Sequence, residues 1–112
     1  MKDKIKVIYK RVGFDPVEVT VDNTLEQFQF MVGGYIETVP IGVPECYAPT
    51  VIVCDEDGKV DGRALNFVLP SGLDVICGAA VIVGVDGEEF DDVKFGLAEL
   101  HAFWPQLWKE AR

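Results

Sequence analysis

The residues able to do chemistry in this chain are few, and their spacing argues against most chemistries. Ser71 is the only serine and His101 the only histidine of the 112 residues. Ser71 lies in a Pro70-Ser71-Gly72 turn, outside any Gly-x-Ser-x-Gly elbow of the kind that exposes a nucleophile. Cys46, Cys54 and Cys77 are odd in number and form no Cys-x-x-Cys pair, so reduced thiols are predicted rather than a disulfide framework. Zinc would need all three with His101, at spacings that match no common site, and no motif joins a cysteine to His101 as nucleophile and base. Asp55-x-Asp57-Gly58 looks like part of a calcium loop, but the first and last ligand positions fall on Val53 and Ala64, so a turn is predicted. Gly78 and Gly84 lack the lysine and hydroxyl of a phosphate loop. The expectation is a non-enzymatic protein with no metal and no cofactor.

Two constellations remain. The run Asp86, Glu88, Glu89, Asp91, Asp92 is a candidate partner-binding surface, with a solvated turn as the plainer reading. Arg63 and Asn66, next to Gly62, are candidate ligand-binding residues for an anion or nucleotide. The plainer reading of Arg63 is an ion pair with a nearby acid.

Charge supports the first constellation. The chain has 19 acids against 10 bases, a net charge of −9, and residues 22–92 alone carry 14 acids and two bases. Direct binding of nucleic acid is disfavoured, because phosphate needs a basic surface. A basic host protein is the expected partner, with nucleic-acid mimicry as one form of that role. No apolar run approaches the roughly 20 residues of a spanning helix, and Met1-Lys2-Asp3-Lys4 lacks the apolar core of a signal peptide. A cytoplasmic, membrane-free protein of one domain over residues 1–112 is expected.

The elements that must position these residues read as α+β. Residues 4–10 alternate lysine with Ile5, Val7 and Tyr9, a strand with one wet face. Val17, Val19 and Val21 mark a second strand, hairpinned to the first across Gly13, Asp15 and Pro16. Thr24 with Gln27, or Asn23 with Glu26, caps a short helix whose apolar face is Leu25, Phe28 and Val32, with Met31 beside it. Gly33 and Gly34 stop it, and a strand follows over 35–39. The intervening helix allows a right-handed parallel crossover. This ββαβ start is β-grasp-like, and the predicted sheet is mixed, mostly antiparallel.

Further on, 42–49 reads as a loop and 50–54 as a strand. Asp55 to Gly58 is a turn, with Gly58 at positive φ and Lys59-Val60 returning as a hairpin arm. Residues 62–69 give no clear pattern. Residues 74–85 are the best central strand, with Gly78 marking a bulge or a close backbone approach. Leu97, Leu100, Trp104, Leu107 and Trp108 follow helical spacing, with Pro105 either kinking one helix or opening a second. Trp104 and Trp108 cover the sheet or, if the stripe is too wide, form a homodimer contact.

Laid out this way, the chain resembles a family catalogued as domain of unknown function 3846, small proteins common on bacterial mobile elements and phages. The resemblance rests on Val32-Gly33-Gly34-Tyr35-Ile36-Glu37, Asp55-Glu56-Asp57-Gly58-Lys59 and Arg63-Ala64-Leu65. Gly78, Ile82-Val83-Gly84 and Asp86-Gly87-Glu88-Glu89-Phe90 continue it in order. It covers roughly residues 4 to 93. Relatives often place asparagine directly before the arginine, where this chain has Gly62. The resemblance implies a soluble accessory protein of a mobile element and brings no activity with it.

Overall fold

The computed structural model describes residues 2–72 and 74–109. It is α+β and follows the ββαβ start: β1 (Lys4–Lys10), β2 (Val17–Asp22), α1 (Leu25–Val32) and β3 (Ile36–Pro40). Then come β4 (Thr50–Asp55), β5 (Leu65–Val68), β6 (Val75–Cys77), β7 (Ala80–Asp86), β8 (Glu89–Asp91) and α2 (Leu97–Phe103). One-turn 3₁₀ segments lie at Glu45–Tyr47 and Pro105–Leu107. The main sheet has the order β2-β1-β7-β4-β3, with β8 also on β7, and β5 and β6 form a separate ribbon. Each described pairing is antiparallel. β2 and β3 therefore point the same way, as a crossover requires, but they lie at opposite edges with three strands between them.

Alternation along the strands divides the core into two layers. Ile5, Val7, Val53, Val81 and Val83 face α1 and pack on Phe28, Met31 and Val32. Ile8, Ile52, Cys54, Ala80 and Ile82 face the other way, onto the β5–β6 ribbon and the C-terminal helical segment. An eight-residue helix is not stable by itself. Burying each of its three core side chains contributes about 1.5–3 kcal/mol, and that holds it. Thr24 caps it by accepting the Gln27 N–H at 3.2 Å, and Gly33 ends it at φ +82°. Leu25, expected on the apolar face, is instead largely exposed.

The second layer changes how the first strand is read. Lys4 and Lys6 keep the wet face, but at Ile8 and Lys10 that same face is roofed by the ribbon, and Lys10 is fully buried. The long apolar stretch 74–85 is two strands rather than one. Gly78, at φ +85°, turns the chain from the ribbon into the centre of the main sheet. Lys59-Val60 is not a hairpin arm, because residues 56–62 continue as turns. The positive φ falls at Gly62, while Gly58 is needed for space: a Cβ there would lie 2.6 Å from the Cys77 carbonyl oxygen. At Pro105 the chain breaks, ending α2 and opening the 3₁₀ turn at its first position.

One close approach fixes the centre of the sheet. β1 pairs with β7 only from Ile8 to Lys10, and beyond that β8 takes the place beside β7. The Val93 N–H donates to the Lys6 carbonyl at 2.8 Å, and Asp92 Oδ1 accepts the Lys6 N–H at 2.8 Å. Residues 89–93 thus wedge between β1 and β7, and a Cβ on Gly84 would collide with the Asp92 carbonyl. Gly84→Ala is expected to cost about 1–3 kcal/mol in urea unfolding. Gly42→Ala, where a Cβ meets nothing within 4 Å, should stay within about 0.5 kcal/mol. Equal stability of the two variants would mean that the wedge is absent in solution.

Candidate functional site

The motif residues scattered through the sequence meet around Arg63. Its Nε donates to Asp55 Oδ2 at 2.5 Å and its guanidinium donates to the Gly33 carbonyl oxygen at 2.5 Å. The Asp55 side chain is 2% exposed and that of Arg63 35%. Asp55 Oδ1 also accepts the Asp57 N–H at 2.9 Å, which shapes the turn after β4. Glycine makes the room. A Cβ on Gly33 would lie 3.0 Å from the guanidinium, one on Gly34 2.8 Å from Asp55 Oδ1, and one on Gly78 2.8 Å from Arg63 Cδ. Gly33, Gly34, Asp55, Arg63 and Gly78 therefore form one clasp tying the end of α1 to β4, the ribbon and the hinge before β7.

Asn66 sits on the other side of the same hinge. Its amide donates to the carbonyls of Lys10 and Gly78 at 2.8 and 2.9 Å, and its oxygen accepts from Lys10 Nζ at 2.8 Å. The Lys10 ammonium also donates to the Arg11 carbonyl at 2.8 Å. Asn66 is buried, and its donors and acceptor are engaged with protein. The predicted pair Arg63 and Asn66 is thus brought together at Gly78, but as two struts of the fold. The charge of Arg63 is already matched by Asp55.

The acidic run divides in the same way. Lys2 Nζ lies 3.0 Å from Asp91 Oδ1 and 2.8 Å from Asp92 Oδ2. The Lys2 ammonium, and then a backbone N–H on each carboxylate, hold Asp91 and Asp92 below the usual carboxylate range, and the two carboxylates push Lys2 up to about 12. These two acids staple β8 to the N-terminus. Asp86 and Glu88 are exposed at the β7–β8 turn, and Glu89 is exposed beside them.

The remaining candidates of the sequence are equally placed. Cys54 is buried beside β3; burial first, then the Glu37 carboxylate 3.8 Å away, pushes its thiol up to about 12. His101 stacks edge-on against Trp108 at 4.8 Å. Trp104 is 3% exposed and stacks edge-on against Phe67 at 5.2 Å, so it covers the chain's own second layer, and Trp108 is half-buried. Among the described residues no group of three or more His, Cys, Asp or Glu is arranged to hold a metal. Nor is any described helix long and apolar enough to cross a membrane.

The sequence reading missed a surface. Phe30 is 84% and Tyr35 72% exposed, and with Gln29 and Gly34 they line one open depression of about 400 Å³. The Glu56 N–H donates to the Tyr35 carbonyl at 2.8 Å, which joins the start of the 56–62 turn to the backbone at Tyr35. The available signal was position: Phe30 is one turn from Glu26, opposite the apolar face.

This arrangement defines a small antiparallel α+β domain organised by an internal arginine–aspartate clasp. The chain belongs to the family described as "Domain of unknown function (DUF3846)", which matches residues 5–101. No curated protein and no solved structure matches it.

Two outcomes follow from these contacts. Arg63→Ala strands a buried carboxylate and should cost about 3 kcal/mol, at the low end for a buried pair because water reaches the guanidinium. Asp55→Asn in that background should recover part of the loss, a non-additivity read in a double-mutant cycle of urea melts. The Lys2 staple is present above the unfolded carboxylate pKa and is lost as pH falls through the depressed values of Asp91 and Asp92. Its alkaline limb is present below the unfolded lysine pKa and is lost as pH rises through about 12. Lys2→Met should flatten both limbs of the stability–pH curve, and a curve of unchanged shape would remove the staple from the account.

Proposed function

We propose that the protein is an acidic, non-enzymatic interaction module that docks on a basic protein partner. One asymmetry carries this reading. Lys2, Lys4, Lys6, Lys59 and Arg63 are engaged in ion pairs, and Lys10 is buried. Among the described residues, Glu26, Glu56, Asp57, Asp61, Asp86 and Glu88 are exposed and make no ion pair. Arg11, Lys94 and Lys109 are exposed bases without an ion pair among the described residues, but the exposed unpaired acids outnumber them, so the surface stays net acidic. Such a field steers a basic partner and weakens with salt.

Docking is better supported than mimicry of duplex DNA. A mimic needs carboxylates at a dense, regular spacing, about one per 1.7 Å of axis. Here the exposed acids lie in separate groups on α1, the 55–62 turn and the β7–β8 turn. Binding of an anionic ligand has less support, because Arg63 and Asn66 are both engaged with protein. If the role is that of a mobile-element accessory protein, as the resemblance implies, a basic host protein would be the partner.

The test is capture from host lysate at low and high salt, with wild type and a Glu56→Gln, Asp57→Asn, Asp61→Asn variant. A basic protein retained at low salt, released at high salt and weakened about tenfold by the variant is the expected result. Retention indifferent to both salt and the variant would end the proposal.

A further inference from the structure

Resting on that reading, we infer that the Phe30–Tyr35 corner is the recognition point of the acidic surface, and that it takes the arginine side chains of an extended basic segment. A monomer gains nothing by exposing two aromatic side chains to water around one depression. Phe30 and Tyr35 are the two most exposed aromatic residues described, and they share one depression. The chain's own fold brings them together: Phe30 is on the outer face of α1, and Tyr35 follows the glycine stop that the Arg63 clasp holds.

Charge complementarity selects the occupant. Glu26 lies four residues before Phe30 on the same exposed face of α1. Glu56 is fixed against Tyr35 by its backbone N–H, and Asp57 is exposed next to it. Arg63, whose guanidinium lies against Gly33, is paired with Asp55, and Lys59 of the 56–62 turn is paired with Asp74, so they add little positive charge. A ring face carries partial negative charge, and the elements that carry the two rings also carry the exposed acids Glu26 and Glu56. A cation is drawn to such a place, and an apolar segment would leave the acids without partners. Guanidinium fits better than ammonium, because it is planar, more weakly hydrated and stacks on rings while donating to carboxylates.

The test is calorimetric titration at low salt with an arginine-rich and a lysine-rich peptide of equal length and charge. The arginine peptide should bind more tightly. Phe30→Ala and Tyr35→Ala should each weaken it about two- to fivefold, the range for exposed cation–π contacts, whereas Tyr35→Phe should keep wild-type affinity. Both side chains are exposed, so circular dichroism should show folded variants. If the aromatic variants bind like wild type while Glu56→Gln, Asp57→Asn, Asp61→Asn weakens binding, the corner is not the recognition point and only acidic docking survives. If neither set changes the affinity, both readings fall. A wild-type dimer in light scattering that is lost in Phe30→Ala would assign the corner to self-association and overturn the inference.

Discussion

A carboxylate buried at the end of a central strand must be matched by a positive charge, and at Asp55 that requirement governs the surrounding chain. The match comes from Arg63, eight residues on, so the segment between must turn back on itself. The pair then needs space: the guanidinium excludes a side chain at Gly33, the Asp55 carboxylate one at Gly34, and the Arg63 stem one at Gly78. A second donor, on Nη2, reaches the carbonyl of Gly33, the cap of α1. One charge thus settles where the helix ends, where β3 begins and where the ribbon joins the main sheet. The specificity of the Gly33-Gly34-Tyr35 run follows from this steric arrangement and not from catalytic chemistry.

Local signals in the sequence reported local structure well. The Thr24 cap, the glycine stop and the first two strands each follow from chemistry within a few residues, whereas Pro105 signals an interruption without deciding between a kink and a break. Decisions made at a distance were not legible. Lys10 sits at a position that alternation assigns to water, and only the ribbon, more than fifty residues later, buries it against Asn66. The stretch 74–85 reads as one strand because apolar composition does not show which sheet each half joins. Gly78 reads as a bulge or a close approach; its backbone turns a corner between two sheets, and its missing side chain leaves room for the Arg63 stem.

The candidate site shows the same limit. Arg63 and the acidic run were visible as charges, yet ionic partners are chosen in three dimensions. The structure engages Arg63, Asp91 and Asp92 internally and leaves Glu56, Asp57 and Asp61 on the surface. The exposed rings were harder to find. Phe30 lies inside an apolar stretch of sequence, and only the phase of the helix, fixed by Phe28 and Val32, places it outside.

The wedge of residues 89–93 between β1 and β7 also bears on how the chain is made. β1 and β2 can form a hairpin as soon as residue 22 has been synthesised. Ile8 does not meet Ile82 until seventy-four residues later, and Lys6 does not meet Val93 until later still. Until then Ile5, Val7 and Ile8, the residues that become the centre of both layers, have no sheet beside them. Such a topology folds late and as a whole, since its central pairings close long loops before they return any stabilisation. A ribosome stalled before β7 would therefore present an apolar hairpin to the cell, which is the form in which this protein is most open to chaperones and to aggregation.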